Sequence, residues 1–132
     1  MDPIKRLTDL QMAIMAVLWQ HGEATVAQVH ASLQEERGLA MTTIATLLSR
    51  LEKYGVITHR TRGRKYIYRP LVSQSEVRRS RLTDLIDRFF QGNPADLVYH
   101  LLSESQVEDE DVARILAMIE SKEGENDGSK VV

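Results

Sequence analysis

Arg60, Arg62, Arg64, Lys65 and Arg69 fall within ten residues and are interleaved with Tyr66 and Tyr68. Cations this close repel one another, and no acid lies among them. A phosphate backbone is the simplest partner that removes the repulsion, because its charges recur along a duplex at short, regular spacing. Arg62 and Arg64 flank Gly63 and could straddle a phosphate or enter a minor groove. Tyr66 and Tyr68 are expected to support a sheet rather than to stack on bases. Exposed turns also carry cations for no purpose but solubility, so the cluster needs a second feature beside it.

That feature is "MTTIATLLSRLEKYGVI", residues 41–57. At 100° per residue Ile44, Leu47, Leu48 and Leu51 gather on one helical face. Thr42, Thr46, Ser49 and Lys53 take the other, with Thr43 and Arg50 on its flank. β-branched Thr is a mediocre helix former, so propensity does not account for the polar face. Such a face is either solvated surface or a helix shaped for a DNA groove. In the second case Thr43, Thr46 and Arg50 form a base-reading set: hydroxyls donate or accept, the Thr methyl meets the thymine methyl, and Arg grips guanine through two bonds. Thr42, Ser49 and Lys53, with Arg60, Arg62, Arg64 and Lys65, are then the phosphate contacts.

Catalytic and metal chemistry finds no residues to work with. His21, His30, His59 and His100 are scattered without ligand spacing, and there is no cysteine. The acids of "VEDEDV" sit at a helix start, where the dipole favours them without calcium. No phosphate-cradling Gly-rich loop, nucleophile elbow or carboxylate pair occurs. The expectation is a protein that is not an enzyme and needs neither cofactor nor metal.

The elements that must position the cations and threonines are marked by short punctuation. Thr8-Asp9-Leu10-Gln11 and Thr25-Val26-Ala27-Gln28 are capping boxes, and Gly22 and Gly38 follow the helices they open. In the first helix Leu10, Ala13, Ile14 and Val17 form one apolar face, and Met12, Met15, Ala16 and Trp19 a second almost opposite. A helix apolar on both sides is buried on both sides, which makes Trp19 a packing residue. The second helix is expected to bury Val26, Val29 and Leu33. Thr42 reads as the cap of the third helix and Gly55 as its end. "VITHRT" and "KYIYRPL" then read as a two-stranded hairpin turning at Gly63. Three helices and a basic-tipped hairpin are the order of a winged helix-turn-helix.

Ser73-Gln74-Ser75-Glu76 is another capping box, and its helix carries Leu82, Leu85, Ile86, Phe89 and Phe90 up to Gly92. Asn93-Pro94 opens a short helix bearing Leu97, Val98, Leu101 and Leu102. A last helix, 109–121, stacks Val112, Ile115, Leu116 and Ile119. The expected organisation is a winged-helix DNA-binding domain over 1–72, a helical dimerisation domain over 73–122, and a disordered tail over 123–132.

The net charge of −2 conceals a division. Residues 1–82 hold 13 Lys+Arg against 7 Asp+Glu, whereas residues 83–132 hold 4 against 12. One half is suited to a polyanion and the other is not. The apolar runs are too short for a membrane span, the amino terminus does not read as a signal peptide, and the absence of cysteine fits the cytoplasm. Three short acidic helices cannot readily close a core unaided. Either they pack within the chain or they pair with a second copy. Dimerisation also meets the need of helix-turn-helix proteins to read a palindrome, and Leu82, Leu85, Ile86, Phe89 and Phe90 are the first candidates for that contact.

With these residues located, the chain resembles the penicillinase-repressor (BlaI/MecI/CopY) family of bacterial transcriptional regulators. The resemblance rests on "LTDLQMAIMAVLWQHGEATVAQV", "TTIATLLSRLEKYGVI" and "GRKYIYRPLVS", with the spacing kept over about residues 7–120. It implies a homodimeric repressor on a palindromic operator, with DNA reading in the third helix and wing. It places dimerisation in the carboxyl-terminal helices, and so adds Leu97, Leu101, Ile115, Leu116 and Ile119 to the interface. Copper-responsive members end in a cysteine-rich metal motif that this sequence lacks. In β-lactam-responsive members a membrane sensor metalloprotease cuts an Asn-Phe bond, and His100-Leu101 stands at that place here. A ligand-gated winged-helix regulator and a winged helix that binds proteins are the alternative readings.

Overall fold

The computed structural model describes the backbone of residues 3–104 and 107–130 and the side chains of residues 4–104 and 107–122. Local signals decide where its helices begin. After a 3-10 turn at Pro3–Arg6, α1 (Asp9–His21) starts at Thr8. There the Gln11 amide donates to Thr8 Oγ1 at 3.1 Å and the Thr8 amide donates to Gln11 Oε1 at 2.9 Å. The same reciprocal box, Thr25 with Gln28, opens α2 (Val26–Arg37). Between them lies β1 (Ala24–Thr25), followed after α2 by α3 (Met41–Lys53), β2 (Ile57–Arg62) and β3 (Lys65–Pro70). The remaining helices are α4 (Gln74–Phe89), α5 (Pro94–Ser103) and α6 (Asp109–Lys130). Ser73 with Glu76 and Asn93 with Ala95 cap α4 and α5 as expected.

The hairpin gains a third strand. The order is β1-β3-β2, antiparallel, with Ala24 opposite Tyr68 and Thr25 opposite Ile67. A two-residue strand has no sequence period, and pairing with β3 alone makes it one. β2 and β3 run in register from Ile57–Pro70 to Arg62–Lys65, leaving Gly63-Arg64 as a two-residue turn. Positive φ at Gly63 (63°) and not at Arg64 matches the II′ turn that suits a twisted hairpin.

Contacts divide the chain into residues 1–85 and 86–132. The division falls inside α4, some way past residue 72, where the sequence suggests a boundary. The segment entering α4 and the first half of the helix are held to the winged helix. Val77 is fully buried, Trp19 Nε1 donates to the Val72 carbonyl at 2.9 Å, and Arg81 donates to the Leu7 carbonyl at 2.8 Å and, at greater length, to those of Ile4 and Lys5. Trp19 is therefore a packing residue, as the doubly apolar α1 implies.

The core of the first unit joins Ile14, Met15 and Leu18 of α1, Val29 and Leu33 of α2, and Ile44, Leu48 and Leu51 of α3. Val56 in the turn after α3, with Ile57 and Tyr68 of the sheet, closes it. Three details differ from the amphipathic pattern. Leu10 and Ala13 are half-buried and Ala16 is exposed, Val26 is half-buried, and Gln11 is buried because its amide is spent in the cap.

In the second unit no described side chain is buried. Ile86, Phe90, Leu97 and Leu101 are half-buried, and the rings of Phe90 and His100 lie 6.2 Å apart. The backbone of α6 is helical to Lys130, past the residue where the sequence suggests a tail. Propagating a formed helix needs only one further bond per residue. Side chains from residue 123 onward, and so most of what was expected of 123–132, lie outside the described residues.

Candidate nucleic-acid interface

Burial of one stripe of α3 decides what the other presents. Ile44, Leu48 and Leu51 have zero exposure, each stabilising the unit by about 1.5–3 kcal/mol. Rotation of the helix is thereby fixed, and Thr42, Thr43, Thr46, Ser49, Arg50 and Lys53 all face outward. The C-terminal end is set equally firmly. The amides of Gly55 and Val56 return to the Glu52 and Leu51 carbonyls at 3.0 and 3.3 Å, a Schellman closure that Gly55 permits at φ 80°.

The N-terminal end differs from expectation. Ala40, not Thr42, is the N-cap, and it offers no side-chain bond. Its carbonyl already accepts from the Thr43 and Ile44 amides, which leaves Thr42 inside the first turn. Thr42 instead presents its carbonyl to Thr46, whose hydroxyl donates to it at 2.9 Å. That bond uses Thr46's single proton, so its methyl and lone pairs are what remain for a partner.

Strand alternation sorts the wing into two faces. Arg60, Arg62, Lys65 and Arg69 share the face of Ile67, while His59, Thr61, Tyr66 and Tyr68 share the other. The aromatic face turns towards the core, where Tyr68 is 4% exposed. Arg64 at the turn, with Lys65, Tyr66 and Tyr68, borders a groove of about 570 Å³ whose other wall is Met41, Ala45 and Ser49 of α3. Its end is formed by Thr25, Val26 and Ala27 at the start of α2. The fold thus brings Ser49, Arg64 and Lys65 together. Arg62 and Lys65 line a second hollow, of about 430 Å³, with Glu23, Thr25, Gln28 and Ile67.

One cation of the cluster has a partner. Glu23 accepts from Arg60 at 2.9 and 3.4 Å across the sheet, so the cluster is not without a compensating acid. The Arg60 hydrogen bond holds the Glu23 carboxyl below its ordinary value, against an opposing effect of desolvation and with the charges of Arg60, Arg62 and Arg69 acting in the same direction as the bond. The acid lies 37 residues from its partner, beyond the reach of any local pattern.

His59 is also more than an ordinary surface residue. Its Nδ1 lies 2.8 and 2.6 Å from the two carboxylate oxygens of Glu52 on α3, and its ring stacks on Tyr66 at 4.1 Å. Burial, with the nearby charge of Glu52 and the neighbouring Tyr66, keeps the Tyr68 phenol above its usual range. Among the described residues no cluster of His, Cys, Asp or Glu could hold a metal, and no helix is long and apolar enough to cross a membrane.

The residues expected at an interface between copies lie at the end of the first unit and in the second. Leu82, Leu85, Phe89, Ile115, Leu116 and Ile119 are exposed, joined by Val98, Tyr99, Leu102 and Met118. Ile86, Phe90, Leu97 and Leu101 are partly covered within the chain. His100 is exposed, and the His100-Leu101 bond lies inside α5.

Comparison with known proteins agrees with this geometry. Residues 7–121 match the model of the family described as penicillinase repressor. The penicillinase repressor of Bacillus licheniformis is 26% identical over 120 residues, covering 91% of this chain and 94% of the relative. The transcriptional regulator BlaI of Mycobacterium tuberculosis is 32% identical over 127 residues, covering 94% and 92%. Among solved structures, the DNA-binding domain of the repressor BlaI aligns with a TM-score of 0.51 at 30% identity, over 58% of this chain and 93% of that domain. These relatives are named as regulators of transcription, not as enzymes.

Proposed function

The chain belongs to the penicillinase repressor family, and on that premise we propose that it represses transcription as a homodimer on a palindromic operator read by α3 and the wing. The observation that carries this reading is the fixed rotation of α3. Its buried stripe leaves Thr43, Thr46 and Arg50 outward beside the groove that Ser49, Arg64 and Lys65 border. Arg50 suits guanine, Thr43 suits thymine methyls and acceptor edges, and Thr46, whose proton is held by the Thr42 carbonyl, suits thymine methyls and donor edges. Thr42, Ser49, Lys53, Arg62, Arg64 and Lys65 supply phosphate contacts, which fix position without carrying sequence information. Arg60 joins them at the cost of its bond to Glu23.

The homodimer is supported by the apolar side chains left exposed in the second unit. A twofold axis between copies would present two α3 helices to two half-sites. Relief of repression by proteolysis at His100-Leu101 requires α5 to open locally, because proteases nick loops in preference to helices.

The test uses a duplex selected from a random pool by rounds of binding, compared with random duplex at one salt concentration. Thr43→Ala, Thr46→Ala and Arg50→Ala should each cost about 1–3 kcal/mol on the selected duplex. The Thr variants should leave random-duplex affinity and thermal stability unchanged. Arg62→Ala and Arg64→Ala should weaken both duplexes alike and lower the salt slope by about one unit each. Threonine variants that keep full sequence preference would remove the recognition role from α3.

A further inference from the structure

The two arms of the proposed interface sit on different elements, joined by the short turn Tyr54-Gly55-Val56. Beside that turn, Glu52 in the last turn of α3 receives His59 of β2 through both carboxylate oxygens, at 2.6 and 2.8 Å. A carboxylate only accepts, so Nδ1 carries the proton. The side chains are 28% and 31% exposed, partly sheltered from water. The His59 ring in turn lies nearly parallel to Tyr66, at 17°, and 5.6 Å from the ring of buried Tyr68. Tyr66 precedes the buried part of β3 and follows Arg64 and Lys65 at the groove. Contacts therefore run without a gap from the recognition helix to the cationic tip.

We propose that Glu52 and His59 are positioning residues that lock the wing against α3, and that this lock sets how well a specific site is told from other DNA. The inference rests on the DNA-reading proposed above. A wing free to swing can still find phosphates, because they are present on every duplex. Base reading requires more: α3 must reach a fixed depth while the wing is engaged. Holding that angle before binding removes an ordering cost that only the specific complex would bear. Neither residue needs to touch DNA.

The experiment reads the ratio of affinities for the selected and random duplexes, by fluorescence anisotropy on the full chain. The ratio cancels the general attraction gained when the negative charge of Glu52 is removed. Glu52→Ala and His59→Phe, the latter keeping the stack on Tyr66, should each lower the ratio about fivefold, the usual net scale for one intramolecular hydrogen bond. The double variant should fall no further, since both changes remove one shared contact. Glu52→Gln should retain most of the preference, because its amide oxygen still accepts from Nδ1–H. Thermal unfolding verifies that each variant is folded. Single variants that keep the wild-type ratio, losses that add in the double variant, or a Glu52→Gln as poor as Glu52→Ala would each overturn the proposal. A wild type that selects no duplex overturns the DNA-reading itself, and so the two failures are distinguishable.

Discussion

Residues 1–85 and residues 86–132 are both mostly helical, yet they treat their apolar side chains in opposite ways. In the first unit Ile14, Leu18, Ile44, Leu48 and Leu51 reach zero exposure, because three helices and a sheet surround them. In the second, Phe89 is 70% exposed and Met118 64%, and no described side chain is buried. Side-chain caps open helices in both units, at Thr8 and Thr25 in the first and at Asn93 in the second. Capping and periodicity are thus sufficient to make helices, while a core requires surfaces that meet. The first unit supplies its own, and the second calls for a surface from elsewhere, which the proposed second copy provides.

The largest test of this contrast places charge where the second unit is exposed. The wild type should sediment as the proposed dimer, and Phe89→Asp with Leu116→Asp as a monomer at the same concentration. Each carboxylate forced into an apolar contact costs several kcal/mol, so the dissociation constant should rise more than about a thousandfold. The monomer should keep the unfolding transition of the first unit. A dimer that survives both changes would show that these faces are not the contact surface.

A smaller effect is expected from a cut in the first unit. Leu48→Ala should cost about 2–5 kcal/mol in urea denaturation. The loss should be the same at every protein concentration, since the core is closed within one chain. A concentration-dependent loss would mean that the first unit also borrows stability from a partner.

The smallest lies at the edge of the sheet, in the exposed Glu23–Arg60 pair. The folded carboxyl is held below its ordinary 4.5. Its stabilising contribution is therefore full above that value and disappears as pH falls through the lower, folded one. Glu23→Gln should remove this portion of the acid sensitivity, visible as a flatter urea midpoint between neutral and acid pH, and change stability at neutral pH little. Matching pH profiles for the two proteins would show the pair to be inconsequential.

What the sequence discloses follows the same division between local and distant. Thr8 with Gln11, Thr25 with Gln28, Ser73 with Glu76 and Asn93 before Pro94 are each read within four residues, and each forms the bond its spacing implies. The polar face of α3 and the cations of the wing are legible for the same reason, since periodicity needs only one element. β1 was hidden because two residues have no period and become a strand only through Tyr68 and Ile67. Glu23–Arg60 and Glu52–His59 join separate elements, and nothing in the spacing marks them. The sequence points to Thr42 as the cap of α3, but Ala40, two residues earlier, already supplies the carbonyl that begins the helix.

The Thr46 hydroxyl, turned inward to the Thr42 carbonyl, bears on hydration. A side chain whose proton is already engaged donates nothing to surface water, so entering a groove breaks no donated bond. What it carries forward is a methyl group and an oxygen that only accepts. Recognition at that point should therefore depend on fit and on release of water from carbon, with the heat-capacity decrease that apolar burial brings. Arg50, one turn further along the same helix, is exposed, and its guanidinium must exchange bound water for any base it grips. In the proposed complex the two residues would read one groove on different thermodynamic terms, so warming and salt should alter their contributions in different proportions.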